Sequence, residues 1–312
     1  MTITSEKKFI TGIIGENPST YSKSRIMWNF CFAVLGIDAE YIPWDINKEE
    51  LEEFLKELTK NKKVRGFNIT NPYKVEAAKF FKDSLDDAAK AIGGINTVVM
   101  RNGVKAYSTD GYGAITCITE KSINVEGKHL LVIGAGGAGV AVAVEAVKQG
   151  AKVSVANRTH KKAVDLQTRI KQFLGQNINA IPLYEDSNLS TEFNDAFRNA
   201  DIIVNTVDYE KKKGEPLFPE SMYKNLTGNV VFMDAVYGHK SFILEFADKY
   251  GHIAIPGENM LVHQAVLGFH YMFDTEVETV EKLMKYAIKR FEFNAANKEI
   301  EDEAARYKSG SA

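Results

Sequence analysis

Cysteine is nearly absent from this 312-residue chain, which has two, Cys31 and Cys117, both in apolar surroundings. Two cysteines cannot build a disulfide framework, and that fits a reducing compartment. Neither sign of charge dominates: Lys and Arg number 39, Asp and Glu 41, for a net charge of −2. Without a basic surplus there is no electrostatic footprint for nucleic acid. Long apolar runs are missing too. The longest, Val140–Val147, is interrupted by Glu145 and is far too short to span a bilayer. Met1–Lys8 is polar and lacks the apolar segment of a secretory signal. These absences predict a cytoplasmic protein with neither nucleic acid nor membrane as partner. The six histidines show no tight metal-ligand spacing, so no metal is expected. No internal repeat and no low-complexity tract is found.

What is present reads as globular. Hydrophobic residues make up 45% and charged residues 26% of the chain, close to ordinary averages. At roughly 150 residues per domain, the length predicts two domains. In the first third, strands at Phe9–Gly15, Tyr41–Ile46 and Val64–Thr70 alternate with helices at Ser24–Leu35 and Glu49–Leu58. Such alternation implies a parallel sheet carrying helices. Asn71-Pro72 then opens a helix, Asn as N-cap and Pro at the first helical position. Val98–Arg101 and Lys105–Ser108 form a hairpin on a type I′ turn at Asn102-Gly103. From Lys128 on, strands at His129–Ile133, Lys152–Ala156, Ile202–Val207, Val230–Val236 and His252–Ile255, with helices between, form a second doubly wound unit. Met260–Tyr307 reads as helices and Lys308–Ala312 as a frayed tail.

The strand His129–Ile133 runs directly into Gly134-Ala135-Gly136-Gly137-Ala138-Gly139 and then a helix. This G-x-G-x-x-G turn, in its strand–helix context, is a dinucleotide fingerprint. Gly134 permits the tight turn, Gly136 lets the backbone approach a pyrophosphate, and Gly139 lets helix and strand pack closely. The helix N-terminus offers N–H groups to the phosphates. At the end of the next strand an NAD site carries an acid for the ribose hydroxyl. Here the residues are Asn157-Arg158-Thr159-His160-Lys161-Lys162, cationic and without an acid. Arg158 can bind a 2′-phosphate and stack on adenine. NADP is therefore the expected cofactor. The run Lys211-Lys212-Lys213 sits in a loop with Gly214 and Pro216 and reads as a solvated face or as a neighbour of the cofactor's mouth.

Lys74 falls in the first turn of the helix after Asn71-Pro72. A cation there opposes the helix dipole, by about 0.3–1 kcal/mol when exposed. A lysine placed for stability sits better at the other end, so Lys74 is a candidate proton carrier. Asp110, just after the hairpin, is its candidate partner. Alcohol oxidation by NADP needs a base to take the hydroxyl proton while hydride leaves carbon.

Taken together and in order, these segments resemble the shikimate dehydrogenase family over nearly the whole chain. Gly15-Glu16-Asn17-Pro18 with Ser22-Lys23-Ser24 and Asn29 resembles the family's N-terminal substrate loop, whose Ser-x-Ser pair binds the substrate carboxylate. Asn68-Ile69-Thr70-Asn71-Pro72-Tyr73-Lys74 matches the motif whose Thr contacts substrate and whose Lys is catalytic. Gly93-Gly94-Ile95-Asn96-Thr97 and Thr109-Asp110-Gly111-Tyr112-Gly113 match those that contribute Asn and Asp. Asp234-Ala235-Val236-Tyr237 and Gly257-Glu258-Asn259-Met260-Leu261-Val262-His263-Gln264 resemble the last two motifs.

The resemblance implies an α/β fold of two domains: an N-terminal α/β substrate domain (1–113, completed by helices of 258–312 that return to it) and a Rossmann NADP-binding domain (114–257). It implies NADP-dependent interconversion of 3-dehydroshikimate and shikimate in aromatic amino-acid biosynthesis, by a monomer or homodimer. Lys74 and Asp110 would be catalytic, and Ser22, Ser24, Thr70, Asn96, Tyr237 and Gln264 would bind substrate. Gly134–Gly139 (including Ala135, Gly137 and Ala138), Asn157, Arg158, Thr159, Lys162 and Gly257 would bind NADP. The alternatives are a dehydrogenase of quinate, aminoshikimate or another cyclitol, and a non-catalytic NADP sensor. The chain departs from the family pattern at Tyr21 and Arg25 beside the substrate loop, at Asn205-Thr206-Val207-Asp208 and at Gly238-His239. Arg25 would point either into the substrate cleft or, as helix phase favours, to solvent.

Overall fold

A computed structural model describes residues 5–310. Along the chain come β1 (Phe9–Gly15), α1 (Ser24–Leu35), β2 (Ala39–Asp45), α2 (Leu51–Lys60), β3 (Gly66–Ile69), α3 (Lys74–Phe80), α4 (Asp87–Ile92) and the hairpin β4 (Thr97–Val99) and β5 (Lys105–Tyr107). After α5 (Asp110–Thr119) follow β6 (His129–Ile133), α6 (Gly137–Lys148), β7 (Lys152–Asn157), α7 (His160–Leu174), β8 (Asn179–Pro182), β9 (Tyr184–Glu185), β10 (Asn188–Leu189) and α8 (Thr191–Asn199). Then come β11 (Ile202–Asn205), α9 (Tyr209–Lys213), α10 (Glu220–Lys224), β12 (Val231–Asp234), α11 (Phe242–Lys249), β13 (Ile253–Pro256), α12 (Met260–Phe273), α13 (Val277–Arg290) and α14 (Asn297–Ser309). The expected frayed tail is helical as far as Ser309; Ser311 and Ala312 lie outside the described residues, as do Met1–Thr4 of the polar N-terminal stretch. No helix among the described residues is long and apolar enough to cross a membrane.

Contacts divide the chain into two units. Unit 1 comprises the residues up to Ala89, Gly93–Thr109 and those from Ala265 onward; unit 2 comprises Lys90–Ile92 and Asp110–Gln264. The expected boundaries at 113/114 and 257/258 fall inside unit 2. There α5 packs along α6, and Gly113 lies against Met260 and Gln264.

Unit 1 is built on a five-stranded sheet in the order β2-β1-β3-β4-β5. β2, β1 and β3 run parallel, and the hairpin strands β4 and β5 are antiparallel. Side chains alternate across a strand, which gives the sheet two faces. Ile10, Ile14, Phe67, Ile69 and Val98 bury one face under Phe54, Leu55 and Leu58 of α2 and Ala77 of α3. The spacing Leu51, Phe54, Leu55, Leu58 is a helical stripe, and each such side chain contributes roughly 1.5–3 kcal/mol on burial. α1 packs against β2, α13 and α14. Its Trp28 ring meets Tyr41 and Phe269 at 4.9 Å, and Phe30 stacks on Tyr286 at 5.3 Å. The hairpin is present, but Val99 pairs with Lys105 and Arg101 bridges to Gly103. That register centres the turn on Asn102 and excludes the expected two-residue type I′ turn, which pairs Arg101 with Val104.

Unit 2 holds a six-stranded parallel sheet in the order β13-β12-β11-β6-β7-β8. Leu130, Leu131, Val132 and Ile133 of β6 are all buried, as a strand covered by helices on both faces requires. The chain leaves β6 first toward β7 and β8, then restarts on its other side with β11. The order reverses there, and ligands of open α/β sheets bind at the carboxyl ends beside such a reversal. Two features escape the sequence reading: the edge strand β8 and the small antiparallel pair β9 and β10.

Candidate active site

In unit 1, Ser24 is the first residue of α1, and its N-cap Lys23 makes no side-chain cap. Ser22 Oγ accepts the Ser24 N–H at 3.3 Å. The first turn of α1 therefore presents N–H groups beside two serine hydroxyls, a setting for an anion. The helix carrying Lys74 begins later than expected. Asn71 and Pro72 fill a turn closed by Tyr73 N–H to the Thr70 carbonyl at 3.0 Å, with a cis Asn71–Pro72 bond. The N-cap is Tyr73, and Lys74 is the first residue of α3. Thr70 is fixed by its N–H to the Ile14 carbonyl at 2.9 Å, and the Tyr73 hydroxyl donates to the Ile46 carbonyl at 2.7 Å.

Unit 1 also brings Lys74 and Asn96 together. Ile95 N–H donates to the Lys74 carbonyl at 3.0 Å, so Asn96 follows directly on that bond. Asn96 is buried; its Oδ1 accepts the Thr109 N–H at 2.8 Å and its Nδ2 donates to Thr109 Oγ1 at 3.0 Å. Arg25 takes neither expected course. Its guanidinium donates to Asn297 Oδ1 at 2.7 Å and to the carbonyls of Phe293 and Ala295. It ties α1 to the α13–α14 connection, where three acceptors satisfy a half-buried cation.

In unit 2, Asp110 opens α5 and is buried. Gly134 has φ of 106°, a conformation that suits glycine. A Cβ on Gly139 would lie 2.1 Å from the Gly134 carbonyl oxygen, which only glycine avoids. α6 starts at Gly137 behind the N-cap Gly136, which offers no side-chain cap, and beyond both glycines is open space. Bare first-turn N–H groups facing open space fit a pyrophosphate. At the end of β7, Asn157 Oδ1 accepts the Ala135 N–H at 2.9 Å and joins the two segments expected to hold NADP. Arg158, Thr159 and Lys162 are exposed, while Lys161 is paired with Asp165 at 2.8 Å. Cations with no carboxylate at this strand end fit a 2′-phosphate.

Tyr237 is exposed and Gly257 is buried at the start of a 3-10 turn. The lysine run is helical, not a loop, and Lys211 Nζ donates to the Tyr237 carbonyl at 3.1 Å. Beneath Tyr237 lies a buried cluster that the sequence reading missed. Asp234 accepts from Asn205 Nδ2 (2.9 Å), Val236 N–H (3.0 Å) and Ser241 Oγ (2.7 Å), and His239 Nε2 stands 3.5 Å from it. Glu210 accepts the N–H groups of Leu217, Phe242 and Ile243, and burial pushes its carboxyl above the ordinary value. Asp234 heads a motif and could have been found; Glu210, ahead of three lysines, carried no signal.

Residues 13–98 match the family model described as shikimate dehydrogenase substrate binding domain, and residues 117–234 the one described as shikimate / quinate 5-dehydrogenase. The chain is 37% identical over 263 residues to shikimate dehydrogenase (NADP(+)) of Rubrobacter xylanophilus, covering 82% of this chain and 88% of that protein. It is 36% identical over 283 residues to shikimate dehydrogenase (NADP(+)) of Pyrococcus furiosus, covering 89% and 95%. Among solved structures, shikimate 5-dehydrogenase of Listeria monocytogenes, in complex with shikimate and NAD, gives a TM-score of 0.78 at 26% identity over 90% of this chain and 98% of that one. With both models matched in order and relatives this similar along most of its length, the chain belongs to the shikimate dehydrogenase family.

Proposed function

We propose that this chain interconverts shikimate and 3-dehydroshikimate with NADP, as a step of aromatic amino-acid biosynthesis. The observation that carries the reading is the end of β7, where Arg158 stands exposed with no acid beside the glycine turn that Asn157 braces. The curated relatives named above are NADP enzymes. We assign substrate binding to residues 1–113 with 258–312, and NADP binding to 114–257.

NADP, when bound, supplies the acceptor and donor of hydride. The chain's own groups do the rest. Ser22 and Ser24 at the start of α1 hold the substrate carboxylate, and Thr70 and Asn96 take ring hydroxyls. Lys74 Nζ accepts the hydroxyl proton on oxidation and returns it on reduction. Asp110 is the catalytic partner of Lys74, and Tyr237 and Gln264 also bind substrate. The N–H groups of Gly136–Gly139 would bind the pyrophosphate, Arg158 and Lys162 the 2′-phosphate, and Gly257 would face the nicotinamide.

The test is a panel of shikimate, quinate and aminoshikimate with NADP and with NAD, followed by absorbance of the reduced cofactor. Shikimate with NADP is expected to give the highest kcat/KM. A higher value with quinate or the amine would reassign the substrate, and NADP binding without turnover of any would reassign the chain as a sensor.

A further inference from the structure

The connection from β8 to α8 is longer than the fold requires. Ser190, the N-cap of α8, already meets the end of β8: its N–H donates to the Leu183 carbonyl at 3.1 Å and its Oγ to the Pro182 carbonyl. Leu183 could therefore pass almost directly into the helix. Instead the chain makes the excursion Tyr184–Leu189, the hairpin of β9 and β10, in which Tyr184 pairs with Leu189 and Glu185 with Asn188. Its two turn residues, Asp186 and Ser187, stand at φ of 45° and 69°. A tight two-residue turn demands two positive angles, and Ser is a poor choice for that region. A detour kept in spite of such a turn points to a use beyond joining strand to helix.

The hairpin stands beside the expected NADP site. β8 is the parallel neighbour of β7, with Pro182 opposite Asn157, and the Leu183 N–H donates to the Asn157 carbonyl at 3.2 Å. Neighbouring strands run about 4.8 Å apart. The residues that follow, Arg158 and Thr159 on one strand and Leu183 and Tyr184 on the other, thus leave the sheet side by side. Asn157, where they part, is the residue whose side chain braces the glycine turn at Ala135. Leu183 joins the core with Phe193 and Phe197 of α8. Tyr184 stays outside it, with 36% of its surface exposed. Partial burial raises its hydroxyl above the ordinary value, and the charge of Arg158 pulls against that rise, as fits two side chains at one end of the sheet.

We infer that Tyr184 is the aromatic wall of the adenosine subsite: the adenine base of NADP rests against its ring, while Arg158 beside it takes the 2′-phosphate. This rests on the proposed function, in which the end of β7 receives NADP. A purine gains from a flat aromatic face. A ring carried on a two-stranded hairpin has little freedom left to lose when the base arrives. NADP and NAD share the adenine, so Tyr184 strengthens both and the choice between them falls to Arg158.

The test measures the Kd of adenosine 2′,5′-bisphosphate, ADP and shikimate by titration calorimetry in wild type, Tyr184→Ala and Tyr184→Phe. Tyr184→Ala is expected to weaken both adenine ligands five- to twentyfold and to leave shikimate within twofold. Tyr184→Phe keeps the ring and is expected to stay within twofold of wild type for all three. An unchanged Kd for the adenine ligands in Tyr184→Ala would overturn the inference, and so would a loss in Tyr184→Phe as large as in Tyr184→Ala. Tyr184→Trp gives a second readout that needs no loss of packing. The chain's two tryptophans, Trp28 and Trp44, are buried in unit 1, so a change in exposed indole emission reports on position 184. Adenosine 2′,5′-bisphosphate is expected to quench it and nicotinamide mononucleotide, which lacks adenine, to leave it; quenching by neither would also overturn the inference. Wild-type chain that binds ADP as tightly as the bisphosphate refutes the assignment of NADP, while the Tyr184→Ala comparison on ADP still decides the role of Tyr184.

Discussion

Asn157 holds Ala135: its Oδ1 accepts the Ala135 N–H at 2.9 Å, and its Nδ2 donates to the Thr159 carbonyl at 2.9 Å. One side chain thus fixes the glycine turn to the strand end that precedes Arg158. An aspartate would keep the first bond and lose the second, so the amide suits a site that is meant to stay without a carboxylate.

Arg158→Ala is expected to raise the KM of NADP at least tenfold and that of NAD less than twofold. The guanidinium recognises a group that NAD lacks. Steady-state kinetics with both cofactors decide it, and an equal rise for the two would remove Arg158 from 2′-phosphate recognition.

Lys74→Ala is expected to lower kcat by about 10²–10⁴-fold, the usual contribution of a general acid–base group. NADP affinity should stay within twofold, since Lys74 lies in unit 1 and acts on a proton. A kcat loss below tenfold would end the assignment.

Gly139→Ala would set a methyl 2.1 Å from the Gly134 carbonyl oxygen and 2.8 Å from Thr206 Oγ1. The first neighbour is backbone and cannot turn aside. Overpacking of this kind costs about 1–3 kcal/mol. We expect a lower melting temperature together with at least a tenfold loss of NADP affinity, read by thermal denaturation and fluorescence titration. Normal affinity would show that the turn can relax.

Glu303 joins α14 to α13, accepting from the Tyr286 hydroxyl at 2.7 Å and Arg290 Nε at 2.8 Å. The Arg290 hydrogen bond, with that of Tyr286, holds its carboxyl down at about 2, against an ordinary 4.5. A depressed carboxylate contributes stability that is full above the unfolded value and fades as pH falls through the folded one. Glu303→Gln is therefore expected to destabilise by about 1–3 kcal/mol at pH 7. The gap from wild type should hold down to about pH 5 and close toward pH 2. A gap independent of pH in urea titrations would assign the loss to shape instead of charge.

The periodic parts of the fold were legible. β1 and α1 run from Phe9 to Gly15 and Ser24 to Leu35 as read, because both are long and patterned. β8 was not: only Ile181 of its four residues is buried and Pro182 closes it, so an edge strand carries little pattern. Asn71-Pro72 has the composition of a helix start, yet Tyr73 and Thr70 close a turn there and the helix waits for Lys74. The glycine turn and Arg158 could be read because they adjoin strands in sequence. The hydrogen-bonded row Tyr41, Asn68 and Thr97 could not, since its members meet only when three separate strands fold. The course of Arg25 is hidden for the same reason: its partners lie far along the chain, at Phe293, Ala295 and Asn297.

Unit 1 draws its sheet from the first 109 residues, but the helices that cover α1, α13 and α14, begin only at Val277. On the ribosome these arrive last. Asp110–Gln264 is a nearly continuous stretch and can be finished while the earlier sheet still waits for its cover. Domains fold as units in the order they emerge, and here the first segment made belongs to the last unit completed. A nascent chain paused before Val277 leaves Phe30 without Tyr286, Phe291 or Tyr307, so the apolar face of α1 stays uncovered until those helices are made.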